Sequence, residues 1–224
     1  MDTKWDMAGH ILKAYKDSGW KVAIFVIIRY LVCPWQKIID HLIPLIGAGN
    51  LLDIGCGHGL LLHLVQIEKK GQKGIGIDHD PFKIAIARQS TKRNHSITFL
   101  NSGQEQQIAN QSVSCVALVD VLYAVAPQDW PHIWGLIHAK LKPDGVLLLK
   151  ETINTPRLKF WICLLQEIVA TKILKYTKGQ SPFLPSLGYY IKELTQNGFD
   201  VIEHRRIDQG YLWPHYLFIA KRKP

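Results

Sequence analysis

Leu51-Leu52-Asp53-Ile54-Gly55-Cys56-Gly57-His58-Gly59 is an apolar run that closes on an acid and passes into three glycines at alternate positions. Such a run reads as a buried strand feeding a tight turn. Glycine has no Cβ, takes positive φ without strain and lets a ligand lie against bare backbone. The helix expected from Gly59 presents unpaired N–H groups and the positive end of its dipole at the same place, which suits an anionic group of a bound cofactor. Nineteen residues beyond Gly59 comes Asp78, ending a second apolar run, Gly74-Ile75-Gly76-Ile77. An acid at that point stands where ribose hydroxyls would need an acceptor.

The same alternation continues outward from this centre. Strands are expected over 50–54 and 74–78, with helices from Gly59 to about Glu68 and from Pro81 to about Thr91; the fixed φ of proline suits a helix start. Ile97 to Leu100 reads as strand three, Ser114 to Val119 as strand four and Trp130 to Leu141 as a helix. Lys142-Pro143-Asp144-Gly145 reads as a turn, leading into strand five at Val146 to Lys150. A helix over Leu187 to Asn197 stops at Gly198. Strands Phe199 to His204 and His215 to Lys221, joined through Gly210-Tyr211-Leu212-Trp213-Pro214, should form a hairpin. Upstream, helices are expected over 4–17 and 20–33, broken at Ser18-Gly19, with a short helix from Pro34 to about Leu42. Strands separated by helices imply right-handed crossovers and a mostly parallel α/β sheet with helices on both faces.

The glycine spacing separates two cofactor classes that share this layout. A dinucleotide fingerprint, G-x-G-x-x-G, would put its third glycine at position 60, where this chain has Leu60. The pattern is instead D-x-G-x-G-x-G, and it resembles motif I of class I S-adenosylmethionine-dependent methyltransferases. The resemblance covers roughly residues 45–222 and implies a Rossmann-like seven-stranded sheet whose last strand is antiparallel. The chain then divides into an N-terminal helical cap at 1–44 and a methyltransferase domain at 45–224, with a helical insertion at about 157–178. S-adenosylmethionine is the implied cofactor. The resemblance assigns its methionine end to Asp53, Gly55, Cys56, Gly57 and Gly59, and its ribose to Asp78, with His79 alongside. Ser102, Gly103 and Gln104 stand at the adenine position, although the family's Asp-Ala pair is missing from Asn101-Ser102-Gly103-Gln104. Asp120, closing strand four, stands where the family approaches both the methionine end and the methyl acceptor. Lys142 to Leu147 is similar to the family's L-x-P-G-G-x-L turn, with Asp144 replacing the first glycine.

Each assignment has a plainer structural counterpart: a bare strand-to-helix turn for the glycine run, and a helix N-cap for Asp120. The chemistry itself asks for little, because a sulfonium already makes its methyl group electrophilic and transfer depends on holding the acceptor in line. A base that reaches the acceptor's proton completes the requirement. Asp120, Tyr123 and His215 are the candidates for it, with Glu151 at the end of strand five. His58 reads as a cofactor neighbour.

Composition narrows the acceptor. The chain has 224 residues, 47% of them hydrophobic, enough for a substantial core. Four dispersed cysteines without a C-x-x-C pair suit free thiols in a reducing, cytoplasmic compartment, and ten histidines form no ligand spacing, so no metal is expected. The first residues lack the basic-then-apolar order of a secretory signal. The apolar stretch Val22 to Ile28 falls short of the roughly 20 residues of a bilayer span and reads as a lid helix or one resting at a membrane surface. A net charge of +9 would suit nucleic acid, yet Asp120-Val121-Leu122-Tyr123 carries no N/D-P-P-Y/F motif for a nucleobase amine. Basic residues instead mix with grease in Arg157-Leu158-Lys159-Phe160-Trp161 and onward through Lys172, Lys175 and Lys178. The expectation is a small apolar, aromatic or lipid-linked acceptor methylated on oxygen, with an anionic membrane surface as partner at the inner face of the membrane. The Gly210 to Tyr216 turn and the N-terminal helices also look like small bacterial methyltransferases of lipid-like or aryl-polyene pathways. Methylation of RNA or protein, a non-catalytic S-adenosylmethionine-binding module, and a dehydrogenase selecting NAD are the alternatives left open.

Overall fold

The computed structural model describes residues 4–92, 94–154 and 183–223. The insertion helix expected at 157–178 lies outside them. The chain forms two compact units, Met1–Ile108 and Ala109–Pro224. The first holds helices α1 (Lys4–Tyr15), α2 (Trp20–Val32) and α3 (Trp35–Ile46), strand β1 (Leu51–Ile54), α4 (Leu60–Glu68), β2 (Gly74–Asp78), α5 (Pro81–Ser90) and β3 (Ile97–Asn101). The second holds β4 (Val113–Val119), α6 (Trp130–Lys140), β5 (Leu141–Thr152), α7 (Leu187–Gln196), β6 (Phe199–Arg206) and β7 (His215–Arg222). The seven strands lie in the order β3-β2-β1-β4-β5-β7-β6. β7 runs antiparallel to both β5 and β6, as the expected Rossmann-like sheet requires.

In the first unit β1 is buried along its length, which is why it reads as an uninterrupted apolar run. It pairs in parallel with β2 from Leu51↔Gly74 to Ile54↔Ile77. The glycines of β2 are there for packing: a Cβ on Gly74 would lie 2.7 Å from Leu62 of α4, and one on Gly76 would lie 2.6 Å from the Phe99 ring of β3. Helix α3 differs from the expectation of an end near Leu42. It continues to Ile46 with Pro44 inside it. Proline removes one backbone bond there, but Trp35, Ile38, Ile39, Leu42 and Ile46 all bury on one face, and that burial carries the helix through.

In the second unit β5 begins at Leu141, five residues before the expected Val146. Leu141 pairs with Val113 and Val146 with Cys115, so Lys142 to Gly145 stand opposite Ser114 alone. The expected turn is a bulge within a longer strand. The hairpin of β6 and β7 forms as expected, and β7 is buried from His215 to Ala220.

Candidate functional site

The glycine loop is built by the first unit. Gly55, Gly57 and Gly59 have φ of +74°, +54° and +81°. The amides of Gly55 and Cys56 both donate to the Ile77 carbonyl, at 2.8 and 3.0 Å. The Gly57 amide donates to Asp78 Oδ2 at 2.8 Å, and Asp78 Oδ1 accepts from the Asp80 amide at 2.9 Å. The loop is therefore pinned to the end of β2, and Asp78 does part of the pinning. Each of its oxygens takes one backbone bond and keeps a lone pair for a hydroxyl.

The neighbouring groups divide into those already engaged and those left open. Asp53 is 2% exposed and its Oδ2 has no hydrogen-bond partner in the structure. Burial, reinforced by the Asp78 charge, pushes its carboxyl well above the usual range. A buried acceptor without a donor is costly, and a cation placed there would answer it; nothing lies within 4 Å of a Cβ built on Gly57, so the loop has open space beside it. The ammonium of a methionyl group fits that donor requirement. Asn101, in register beside Asp78, holds a second buried oxygen without a partner. No sequence signal marks it, since an amide stands where the family carries an acid.

Ser102, Gly103 and Gln104 form the turn after β3. The Ser102 amide donates to the Asp78 carbonyl at 3.0 Å, the Gly103 amide to Glu105 at 2.9 Å, and Gln104 Oε1 accepts from the Asn101 amide at 3.0 Å. His79 is 84% exposed and lies 3.4 Å from Asp78. The buried Cys56 thiol is pushed well above its usual pKa by burial, then by Asp53 and Asp78, so it stays protonated. His58 is drawn down to about 4, chiefly by burial, and is neutral at pH 7. Its carbonyl accepts from the Tyr15 hydroxyl at 2.8 Å, and the Phe25 ring lies 5.3 Å from its imidazole. Tyr15 and Phe25 thus tie α1 and α2 to the glycine loop, a link with no sequence signal because 43 residues separate Tyr15 from His58.

The second unit gathers polar groups where β4 and β5 end. Asp120 caps no helix. It takes φ of +58°, its amide donates to the Lys150 carbonyl at 2.8 Å, and its Oδ1 lies 2.5 Å from Lys150 Nζ in a fully buried ion pair. Glu151 Oε1 accepts from the amides of Val121 at 3.0 Å and Leu122 at 2.7 Å, while Oε2 has no partner. Burial, then the Asp120 charge, raises the Glu151 carboxyl to about 8. The buried Tyr190 hydroxyl, also without a hydrogen-bond partner, is pushed well above its usual pKa by burial and then by Glu151. Tyr123 is half-buried and its carbonyl accepts from the Phe183 amide at 3.1 Å. His215 is 1% exposed, in register with Thr152 and edge-on to Tyr211 at 5.8 Å. Lys150 and Tyr190 were not foreseen: a lysine inside a strand reads as an exposed position until its acid partner is located.

Among the described residues no cluster of histidine, cysteine and acidic side chains could hold a metal ion, and no single helix is long and apolar enough to cross a membrane.

A family described as "Methyltransferase domain" matches residues 27–207. The chain is 32% identical over 109 residues to the ribosomal protein L11 methyltransferase of Hamiltonella defensa, covering 47% of this chain and 33% of that protein. It is 28% identical over 152 residues to the ubiquinone biosynthesis O-methyltransferase of Rhodopseudomonas palustris, covering 67% of this chain and 56% of the relative. Among solved structures it is similar to the pyocyanin biosynthetic protein PhzM, with a TM-score of 0.71 at 12% identity over 90% of this chain and 58% of the other. At that identity the likeness is one of fold.

Proposed function

We propose, for a chain that belongs to the methyltransferase-domain family and is by that membership an S-adenosylmethionine-dependent methyltransferase, that its acceptor is a small apolar or aromatic molecule methylated on oxygen. The observation that carries the cofactor side is the pairing of Asp53, a buried acid with an unanswered oxygen, with the open face of Gly57. Asp53, Gly55, Cys56, Gly57 and Gly59 hold the methionyl end; Asp78, with His79 beside it, takes the ribose; Ser102, Gly103 and Gln104 lie at the base. When bound, the cofactor supplies an electrophilic methyl group. The chain's part is to hold an acceptor in line and take its proton.

For that proton we assign Asp120, Tyr123 and His215. Alanine at each should lower kcat and leave cofactor affinity unchanged, if the role is acceptor-side. Asp120 also stands where the family approaches the methionine end of the cofactor; a loss of cofactor affinity in its variant would give it that role instead. The oxygen assignment is supported by the similarity to an O-methyltransferase over two thirds of the chain. An apolar acceptor partitions into lipid, so an anionic membrane surface at the inner face of the membrane is proposed as a partner. The similarity to an L11 methyltransferase favours a second reading, methylation of a protein. Incubating the purified protein and methyl-labelled cofactor with a whole-cell extract decides between them. Label in an organic-phase phenol or lipid extract supports the first reading, and label in ribosomal protein overturns it.

A further inference from the structure

Helix α2 is apolar on nearly every side. Ala23, Val26 and Tyr30 bury one face, yet the opposite face also carries grease: Trp20 is 70% exposed, Ile28 53%, Ile24 47% and Phe25 41%. At 100° per residue these four fall within one arc. A surface helix of a globular domain ordinarily turns polar residues outward. Leu12 of α1, 47% exposed, extends the patch across a groove of about 420 Å³ lined also by Lys13, Lys16 and Trp20.

Among the described residues, the charges that line this patch are mostly basic. Lys13 and Lys16 rim the groove, and Lys21 lies 5.7 Å from the Trp20 ring. The acid at the corner, Asp17, is 3.5 Å from Lys92. Exposed apolar side chains with a lysine rim are the composition of a helix that lies in the headgroup layer of an anionic bilayer. A 13-residue helix extends about 20 Å, short of a 30 Å hydrocarbon core, so it can lie on the bilayer but cannot cross it. Helix α3 does not prolong it: the two are bent by 79°, and α3 turns its apolar face into the core.

We infer that the exposed face of α1 and α2, centred on Trp20, Ile24 and Ile28, is a docking surface for an anionic lipid bilayer. The inference deepens the proposed membrane partner and rests on that reading, but its vesicle-binding readout needs neither cofactor nor acceptor. The probe is cosedimentation with vesicles of phosphatidylcholine containing increasing phosphatidylglycerol. The bound fraction should rise with phosphatidylglycerol and fall with salt. Removing one charge at a time through Lys13→Gln, Lys16→Gln and Lys21→Gln should weaken binding about fivefold per residue. Combined Trp20→Ser, Ile24→Ser and Ile28→Ser should weaken it at least as strongly, while circular dichroism and cofactor affinity stay as in the parent, since these side chains are exposed. Parent protein left in the supernatant with anionic vesicles at low salt overturns the inference. So does a serine variant that binds as the parent does. A stable dimer in sedimentation velocity that the serine variant dissolves also overturns it, because the face would then join two copies of the chain. None of these outcomes touches methyl transfer, which the label experiment reads separately.

Discussion

A methyl group added at Gly59 would come within 2.6 Å of the Phe99 ring, whereas one added at Gly57 meets nothing within 4 Å. Both glycines sit at positive φ, so any side chain strains them by about 1–2 kcal/mol, but the two substitutions should fail differently. Gly59→Ala should lower Tm strongly through the clash. Gly57→Ala should cost about the backbone strain alone and abolish cofactor binding, because its Cβ enters the space proposed for the ligand; calorimetry with the cofactor checks this. Asp78→Ala removes the proposed acceptor of the ribose hydroxyls and should weaken binding by about 1.5–3 kcal/mol, the range for hydrogen bonds to a charged group. An affinity loss of only a few tenths would reduce Asp78 to its hold on the Gly57 amide. Glu151 gives a pH prediction. Its carboxyl is raised to about 8, so the folded state keeps a proton that the unfolded chain releases near 4.5. Its stabilisation is whole below the unfolded value and is lost as pH rises toward 8, at about 1.4 kcal/mol per pH unit. Urea unfolding between pH 6.5 and 8 should show that decline in the parent and a flatter profile in Glu151→Gln, whose amide oxygen can still accept from Val121 and Leu122. The positions of Asp53, the glycine run and Asp78 were legible in sequence because spacing along two short strands sets them. Asn101 and Lys150 were not, since an amide in place of an acid and a lysine in a strand acquire meaning only from neighbours the fold supplies.

Elements were read from sequence most securely where burial is uniform. β1, β2 and β4 are apolar because neighbours cover both their faces, and such runs announce themselves with ends good to a residue. The departures are α3, which passes through Pro44, and β5, which absorbs Lys142 to Gly145 as a bulge. Proline and the Pro-Asp-Gly run are breakers by local chemistry, and here tertiary burial and strand pairing outweighed them. The apolar stripe of α3 then leads to a test at this scale. Leu42→Ala and Ile38→Ala, both 0% exposed, should each cost about 2–5 kcal/mol in urea unfolding. Losses below 1 kcal/mol would mean that α3 does not anchor the first unit. A capped helix offers the contrast: Ser186 accepts from the Tyr189 amide at 3.3 Å at the start of α7, and Ser186→Ala should cost only about 1 kcal/mol.

For the molecule as a whole, β5 is paired from Val146 to Lys150 by β4 on one side and β7 on the other. Amides deep in a doubly paired, buried strand open only with global unfolding. Hydrogen exchange should therefore leave Leu147 to Leu149 among the last to exchange and the outer face of α1 and α2 among the first. Equal rates in the two regions would contradict that ordering. The N-terminal pair is nonetheless not isolated, since the Tyr15 hydroxyl and the Phe25 ring both reach His58 within the glycine loop. Tyr15→Phe should cost about 0.5–1.5 kcal/mol of stability, the worth of one such bond. The contact also makes the two helices and the loop a linked equilibrium. If ordering the loop around a cofactor also settles the helices, then a surface that captures those helices and the cofactor that fills the loop must each tighten the other's hold by the same factor. Cofactor titrations with and without vesicles, and vesicle titrations with and without cofactor, would return equal ratios, and Tyr15→Phe would bring both ratios toward one.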